Sequence, residues 1–239
     1  MRRRFFIDHF ENQGAVMLGD AAHHLGRVLR AQAGQLYELS DGSAAWLARI
    51  DNVSRDRVDF SLVEQLPSYV PAIDITLLLS VVKFDAFEWA LEKATELGVA
   101  RIVPLAAARS EKALLAASSK RAERWKKILL ESSQQCRRLK LPVLELVAMP
   151  EAAFAAPQAG VKLMLSESPD AKPLKQVMNG VADATATFAI GPEGGWTEGE
   201  FASAAAAGFQ QASMGKLILR TETAVVAGLA AINYALTDY

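Results

Sequence analysis

From Ile73 onward, short runs of consecutive apolar residues alternate with longer segments of helical period, and this restricts the fold more than any other feature of the chain. A strand buried on both faces reads as a continuous apolar run, and parallel strands joined by helices are buried in that way. Residues 73–82, 101–105, 143–147, 161–165 and 185–190 read as such strands. Residues 84–97 read as a helix with Phe87, Leu91 and Ala94 on one face and Gly98 just beyond its end. A second helix starts at Ser118 or Ser119 and runs to about Arg138, turning Trp125, Ile128 and Leu129 inward. Thr197 followed by Glu200 has the spacing of a capping box, opening a helix that ends before Gly208. A last helix is expected from Thr221 to about Leu236. The order predicts an α/β fold with a mostly parallel sheet.

The first seventy residues follow a different pattern. Residues 35–40 and 57–63 alternate apolar with polar, residues 44–50 form a strand-like run between them, and Asp41-Gly42 supplies a turn. Short strands with turns between them predict a small barrel. Residues 23–30 are expected to be helical, because Leu25, Val28 and Leu29 share a face and Gly34 follows. Pro67 and Pro71 bracket the change of pattern. The expected domains are therefore 1–70 and 73–239.

Composition narrows the function classes. Of 239 residues, 51% are hydrophobic and the net charge is −1, which suits a globular chain and argues against a general polyanion binder. Charge is unevenly placed, however. Residues 109–140 hold ten Lys/Arg against three Asp/Glu, a local +7 able to face phosphates or to form a solvated helix surface. No apolar run is long enough to span a bilayer. After the basic start, Asp8, His9 and Glu11 come too early for a signal peptide, and the single cysteine, Cys136, forms no intrachain disulfide, so a cytoplasmic location is expected. Three scattered histidines do not make a metal site, and no Walker or dinucleotide-binding motif occurs.

Two segments could carry chemistry. The strand ending at Ile190 runs into Gly191-Pro192-Glu193-Gly194-Gly195-Trp196-Thr197 and then a helix. Ligands bind outside the carboxyl ends of parallel strands, and glycines let backbone approach a ligand closely. Either this loop grips a ligand or it is a tight strand-to-helix turn, for which one glycine would suffice. The second segment, from Met214 to Ala224, passes from apolar residues into Arg220-Thr221-Glu222-Thr223 at a helix start. It reads as a reactive group of charges beside buried neighbours or as an N-cap with an exposed ion pair.

Taken with Met1-Arg2-Arg3-Arg4-Phe5-Phe6, residues 23–30, Glu92-Lys93-Ala94-Thr95-Glu96-Leu97-Gly98-Val99, Glu123-Arg124-Trp125 and Gln135-Cys136-Arg137-Arg138, these segments resemble the RsmE family over nearly the whole chain. These are bacterial 16S rRNA uracil-N3 methyltransferases of the SPOUT superfamily. The resemblance implies a PUA-like RNA-binding barrel at the N-terminus. It also implies a trefoil-knotted α/β domain at the C-terminus that binds S-adenosyl-L-methionine, and a homodimer acting on 16S rRNA of the small ribosomal subunit. The cofactor residues implied are Leu165, Ser166, Ile190, Gly191, Pro192, Glu193, Gly194, Gly195, Met214, Gly215, Leu217, Ile218, Leu219 and Thr223. Those implied to face RNA are Arg2, Arg3, Arg4, His24, Arg27, Arg30, Arg109, Arg124, Arg137 and Arg138.

For methylation at N3, a cation can stabilise the uracil anion, and Arg220 is the expected one, or a carboxylate or water can accept the proton, with Glu193 or Glu222 the expected carboxylate. Two positions depart from the family, which commonly has Arg where Leu217 stands and Glu where Gln134 stands. If the family's arginine at 217 touches substrate phosphate, another cation, such as Lys216 or Arg220, takes that place here. The rival expectations are a SPOUT ribose 2′-O-methyltransferase and a non-catalytic RNA-binding ribosome assembly factor.

Overall fold

The computed structural model describes residues 3–69, 71–181 and 184–236. Over these the chain divides into two compact units, Met1–Val70 with Ser133–Leu141, and Pro71–Ser132 with Pro142–Tyr239.

The first unit is built on six strands: β1 (Arg4–Phe6), β2 (Phe10–Glu11), β3 (Gly14–Leu18), β4 (Leu36–Ser40), β5 (Ala45–Val53) and β6 (Arg57–Leu66). Their order is β1-β4-β5-β6-β3-β2, with β1 parallel to β4 and the other pairs antiparallel. Phe5, Met17, Leu25, Leu39, Ile50 and Phe60 fill the core. The helix expected over residues 23–30 takes another form. An α-helical turn, α1 (Gly19–His23), continues into a π-helical turn, His24–Val28. The wider turn buries Leu25 and leaves Val28 and Leu29 exposed, so the three do not share one buried face. Arg30, at φ +54°, ends it.

Residues 133–141 close this unit. Leu139 is buried, and its carbonyl accepts the Ser40 hydroxyl at 2.8 Å. Arg4 is 6% exposed, pairs with Glu38 at 3.1 Å and donates to the Arg137 carbonyl at 2.7 Å. Arg137 adds a second pairing to Glu38 at 3.4 Å.

The second unit holds seven strands, all paired in parallel: β7 (Asp74–Ser80), β8 (Arg101–Leu105), β9 (Val143–Leu144), β10 (Val161–Leu165), β11 (Lys172–Pro173), β12 (Thr185–Ile190) and β13 (Gln210–Ser213), in the order β11-β13-β10-β12-β7-β8-β9. Helices cover both faces, which is why the central strands are mostly apolar. On one face Ile75, Leu77 and Leu79 meet α2 (Phe84–Glu96), α3 (Lys112–Cys136) and α7 (Thr221–Leu236), through Phe87, Leu91, Trp125, Val225 and Leu229. On the other, Leu78, Met164 and Ala189 meet α4 (Pro150–Ala155) and α6 (Glu198–Ala206), through Phe154 and Ala204. A short helix, α5 (Leu174–Val177), follows β11.

Three details differ from the sequence expectation. Helix α3 starts at Lys112, and Ser118 is not its cap: its hydroxyl donates to the Leu115 carbonyl inside the helix at 2.6 Å. Strand β9 is only two residues long, with an isolated bridge from Leu105 to Ala148 beyond it, so Leu146 stands 87% exposed. Strand β13 was not anticipated at all, because only Ala212 among its four residues is buried.

Candidate active site

At the carboxyl ends of the neighbouring strands β10 and β12 lies a cavity of about 470 Å³. Its walls are residues 165–168 after β10, residues 190–196 after β12, and residues 218–221 leading into α7, with Arg109, Phe201 and Ala224 completing the lining. All belong to the second unit.

The glycine loop is held in a defined shape. The Gly195 N–H donates to the Pro192 carbonyl at 2.8 Å, and Gly195 sits at φ +70°, a conformation that favours glycine. Gly191 is needed for a different reason. A Cβ there would lie 3.0 Å from the Trp196 ring, which packs directly over the backbone. Trp196 is 5% exposed, and its Nε1–H donates to the Leu165 carbonyl at 3.0 Å. One indole thereby joins the loop after β12 to the end of β10. Behind the loop the expected capping box is present, with Glu200 accepting from the Thr197 N–H at 2.7 Å. Glu200 is 2% exposed and also accepts the Ala108 N–H at 2.9 Å. The Thr221 hydroxyl approaches the Gly191 carbonyl at 3.5 Å, bringing the start of α7 to the same loop.

Of the cofactor residues expected from sequence, Leu165, Ser166, Ile190, Gly191, Pro192, Glu193, Gly194, Gly195, Ile218 and Leu219 line the cavity, and so does Arg220. Met214, Gly215, Leu217 and Thr223 do not. Met214 packs against the core, Gly215 turns the chain at φ +128°, Leu217 is 84% exposed and Thr223 points outward from α7. Glu222 is half-buried on the first turn of α7 and also stays outside the lining. Sequence reasoning missed Trp196, Ser168 and Phe201, and Arg109, expected to face RNA, lines the cavity.

The residues expected to face RNA separate into several groups. Arg2 lies outside the described residues. Arg3, Arg27 and Arg30 are exposed and His24 is half-buried. Arg4 is not a surface cation, since its charge is consumed by buried Glu38. Arg137 is exposed but shares that carboxylate. Arg138 is half-buried, donating to the Lys140 carbonyl at 3.0 Å, and burial holds its pKa below the ordinary value. Arg124 is bound to buried Glu88 at 2.7 Å, a pairing that raises its pKa. Arg109 lines the cavity.

The family model of the RNA methyltransferase domain matches residues 70–233. A curated relative, the ribosomal RNA small subunit methyltransferase E of Synechocystis sp., is 32% identical over 229 residues, covering 88% of this chain and 70% of the relative. The chain belongs to the ribosomal RNA small subunit methyltransferase E family.

Solved structures with this methyltransferase fold agree over the whole length. The methyltransferase E of Neisseria gonorrhoeae, bound to S-adenosyl methionine, matches with a TM-score of 0.88 at 29% identity, covering 99% of this chain and 98% of that one. A methyltransferase from Legionella pneumophila, in complex with the bound cofactor, matches with a TM-score of 0.87 at 26% identity and full coverage of both chains. Among the described residues of this family member, no helix is long and apolar enough to cross a membrane. Nor does any group of three or more His, Cys, Asp or Glu among them form a metal site.

Proposed function

We propose that this protein transfers a methyl group from S-adenosylmethionine to N3 of a uridine in 16S rRNA, within the cavity at the ends of β10 and β12. The observation that carries the reading is that cavity, formed where the glycine loop, the end of β10 and the approach to α7 meet. Its residues fit the cofactor. About 470 Å³ lies in the usual range for small-molecule sites, and its walls are mostly backbone and apolar side chains. A Cβ at Gly191 would come 3.0 Å from the Trp196 ring and one at Gly194 3.1 Å from the Arg109 stem, both tighter than ordinary contact. Leu165, Ile190 and Leu219 supply apolar contact, and the loop backbone supplies hydrogen bonds.

When bound, S-adenosylmethionine supplies a methyl group activated on a sulfonium sulfur. The protein orients the acceptor and manages one proton. Arg220 lines the cavity and has no side-chain partner among the described residues, so its guanidinium is available to stabilise the uracil anion. Glu193 is exposed in the same lining and is the acceptor for the N3 proton. Glu222 is set aside because it does not reach the lining.

The second unit is read as the trefoil-knotted domain and the first as the PUA-like RNA-binding domain, where exposed Arg3, Arg27 and Arg30 meet phosphates. A homodimer would use α2 and α7, which pack on each other and leave Trp89 and Tyr234 exposed.

The test is nucleoside mass spectrometry of small-subunit rRNA from a deletion strain. Loss of 3-methyluridine is expected. Loss of a ribose-methylated nucleoside would replace this reading with a 2′-O-methyltransferase, and no change with a non-catalytic assembly factor. Arg220→Ala is expected to slow single-turnover transfer at least about a hundredfold while leaving cofactor affinity within about twofold. An unchanged rate refutes its role.

A further inference from the structure

Two guanidinium groups line the cavity, Arg220 and Arg109. Arg220 stands at the entry to α7. Arg109 comes from the turn after β8, a fourth wall beside the three described above. That turn is firmly held. Ala107 is buried, the Ala108 N–H is bound by Glu200, and the Ser110 hydroxyl donates to the Val81 carbonyl at 2.8 Å. Arg109 Nη1 donates to the Gly194 carbonyl at 2.8 Å. Its stem lies on Gly194 itself, where a Cβ would come 3.1 Å from Arg109 Cβ and 3.4 Å from Cδ. Gly194 is therefore the seat of this arginine.

We infer that Arg109 is the recognition group for the carboxylate at the amino-acid end of the cofactor, with Gly194 as its fixed support. The assignment rests on the S-adenosylmethionine reading above. One hydrogen bond to Gly194 orients the guanidinium, and its other N–H groups have no protein partner among the described residues. A guanidinium oriented in this way presents a planar fork to a carboxylate. The remaining part of a zwitterion is also provided for, because Glu167 shares the lining and suits an ammonium. This replaces the expectation that Arg109 meets RNA phosphate. An arginine committed to the cofactor loop at its tip and along its stem belongs to the cavity.

The experiment is a chemical double-mutant cycle. Calorimetry measures S-adenosylmethionine and its decarboxylated analogue against the intact protein, Arg109→Met and Arg109→Lys. The intact protein is expected to prefer the carboxylate-bearing form by about tenfold or more, the scale of one charge-assisted hydrogen bond. Arg109→Met is expected to reduce that preference to about twofold or less, and Arg109→Lys to retain part of it. If Arg109→Met weakens both ligands equally and keeps the preference, Arg109 merely props the loop and the inference is overturned. It is equally overturned if cofactor binding is untouched and only RNA affinity falls. An intact protein that binds neither ligand refutes the cofactor reading itself, and that arm separates the two failures.

Discussion

Gly191→Ala isolates what joins the two main walls of the cavity. Gly191 does not use the left-handed region, so the backbone accepts alanine and the cost lies in packing. The new methyl group would lie 3.0 Å from Trp196 Cε2, 3.1 Å from Nε1 and 3.3 Å from Cδ2, where ordinary contacts begin near 3.4 Å. The indole has little room to yield. It is 5% exposed, edge-on to Phe154 at 5.8 Å between centroids, and hydrogen-bonded to Leu165 at 3.0 Å. Overpacking of this kind costs about 1–3 kcal/mol, and loosening the indole hydrogen bond adds about 1 kcal/mol. Because the indole joins the 190–196 loop to the end of β10, a cost of about 1.4–2.8 kcal/mol is expected in cofactor binding, a ten- to hundredfold rise in Kd. Calorimetric titration measures it. Trp196→Phe, with its smaller ring, is expected to recover part of the loss when combined with Gly191→Ala, giving a coupling of about 1 kcal/mol. Gly199→Ala is the control. It meets nothing within 4 Å, lies in the first turn of α6, and is expected to stabilise by about 0.4–1 kcal/mol with no effect on Kd. Unchanged affinity in Gly191→Ala, or strictly additive effects in the double variant, refutes the reasoning.

Three further outcomes are expected. Glu200→Ala orphans the Ala108 and Thr197 N–H groups and is expected to cost about 2–4 kcal/mol in chemical unfolding, with a weaker cofactor Kd; a loss under about 0.5 kcal/mol contradicts the bridging role. In the first unit, Glu38→Ala leaves Arg4 as a buried, unpaired cation and is expected to destabilise by about 3–5 kcal/mol, whereas exposed Arg3→Ala changes stability by less than about 0.5 kcal/mol; equal effects from the two sink the assignment. Asp41 is partly buried, which opposes ionisation, but the Ala44 N–H and the Ser43 hydroxyl and N–H together hold its pKa below the ordinary value. Its stabilising contribution is therefore present above its unfolded pKa and lost as the pH falls through the depressed folded value. Asp41→Asn is expected to flatten the acid limb of the pH–stability curve, and an unaltered limb contradicts the linkage.

Much of the fold was legible because burial on both faces leaves a plain signature. Strands β8, β10 and β12 have the predicted ends, and the capping box fixed the start of α6. Strand β13 was not legible, since the ladders to β10 and β11 hold it while Ala212 alone needs burial. The glycine loop could be read from glycine density. Trp196 and Arg109 could not, because their roles depend on contacts with Leu165 and Gly194, 31 and 85 residues away. Arg4 misled for the same reason. A basic N-terminal run looks like a phosphate contact until Glu38 is found beside it, 34 residues on.

The most direct test of the account is reconstituted transfer. Small ribosomal subunits from a deletion strain are incubated with the purified protein and methyl-labelled S-adenosylmethionine, and the rRNA is then digested to nucleosides. Label is expected in 3-methyluridine with the intact protein and nearly none with Arg220→Ala. Label in a ribose-methylated nucleoside, or no incorporation by a protein that binds the cofactor, would contradict it.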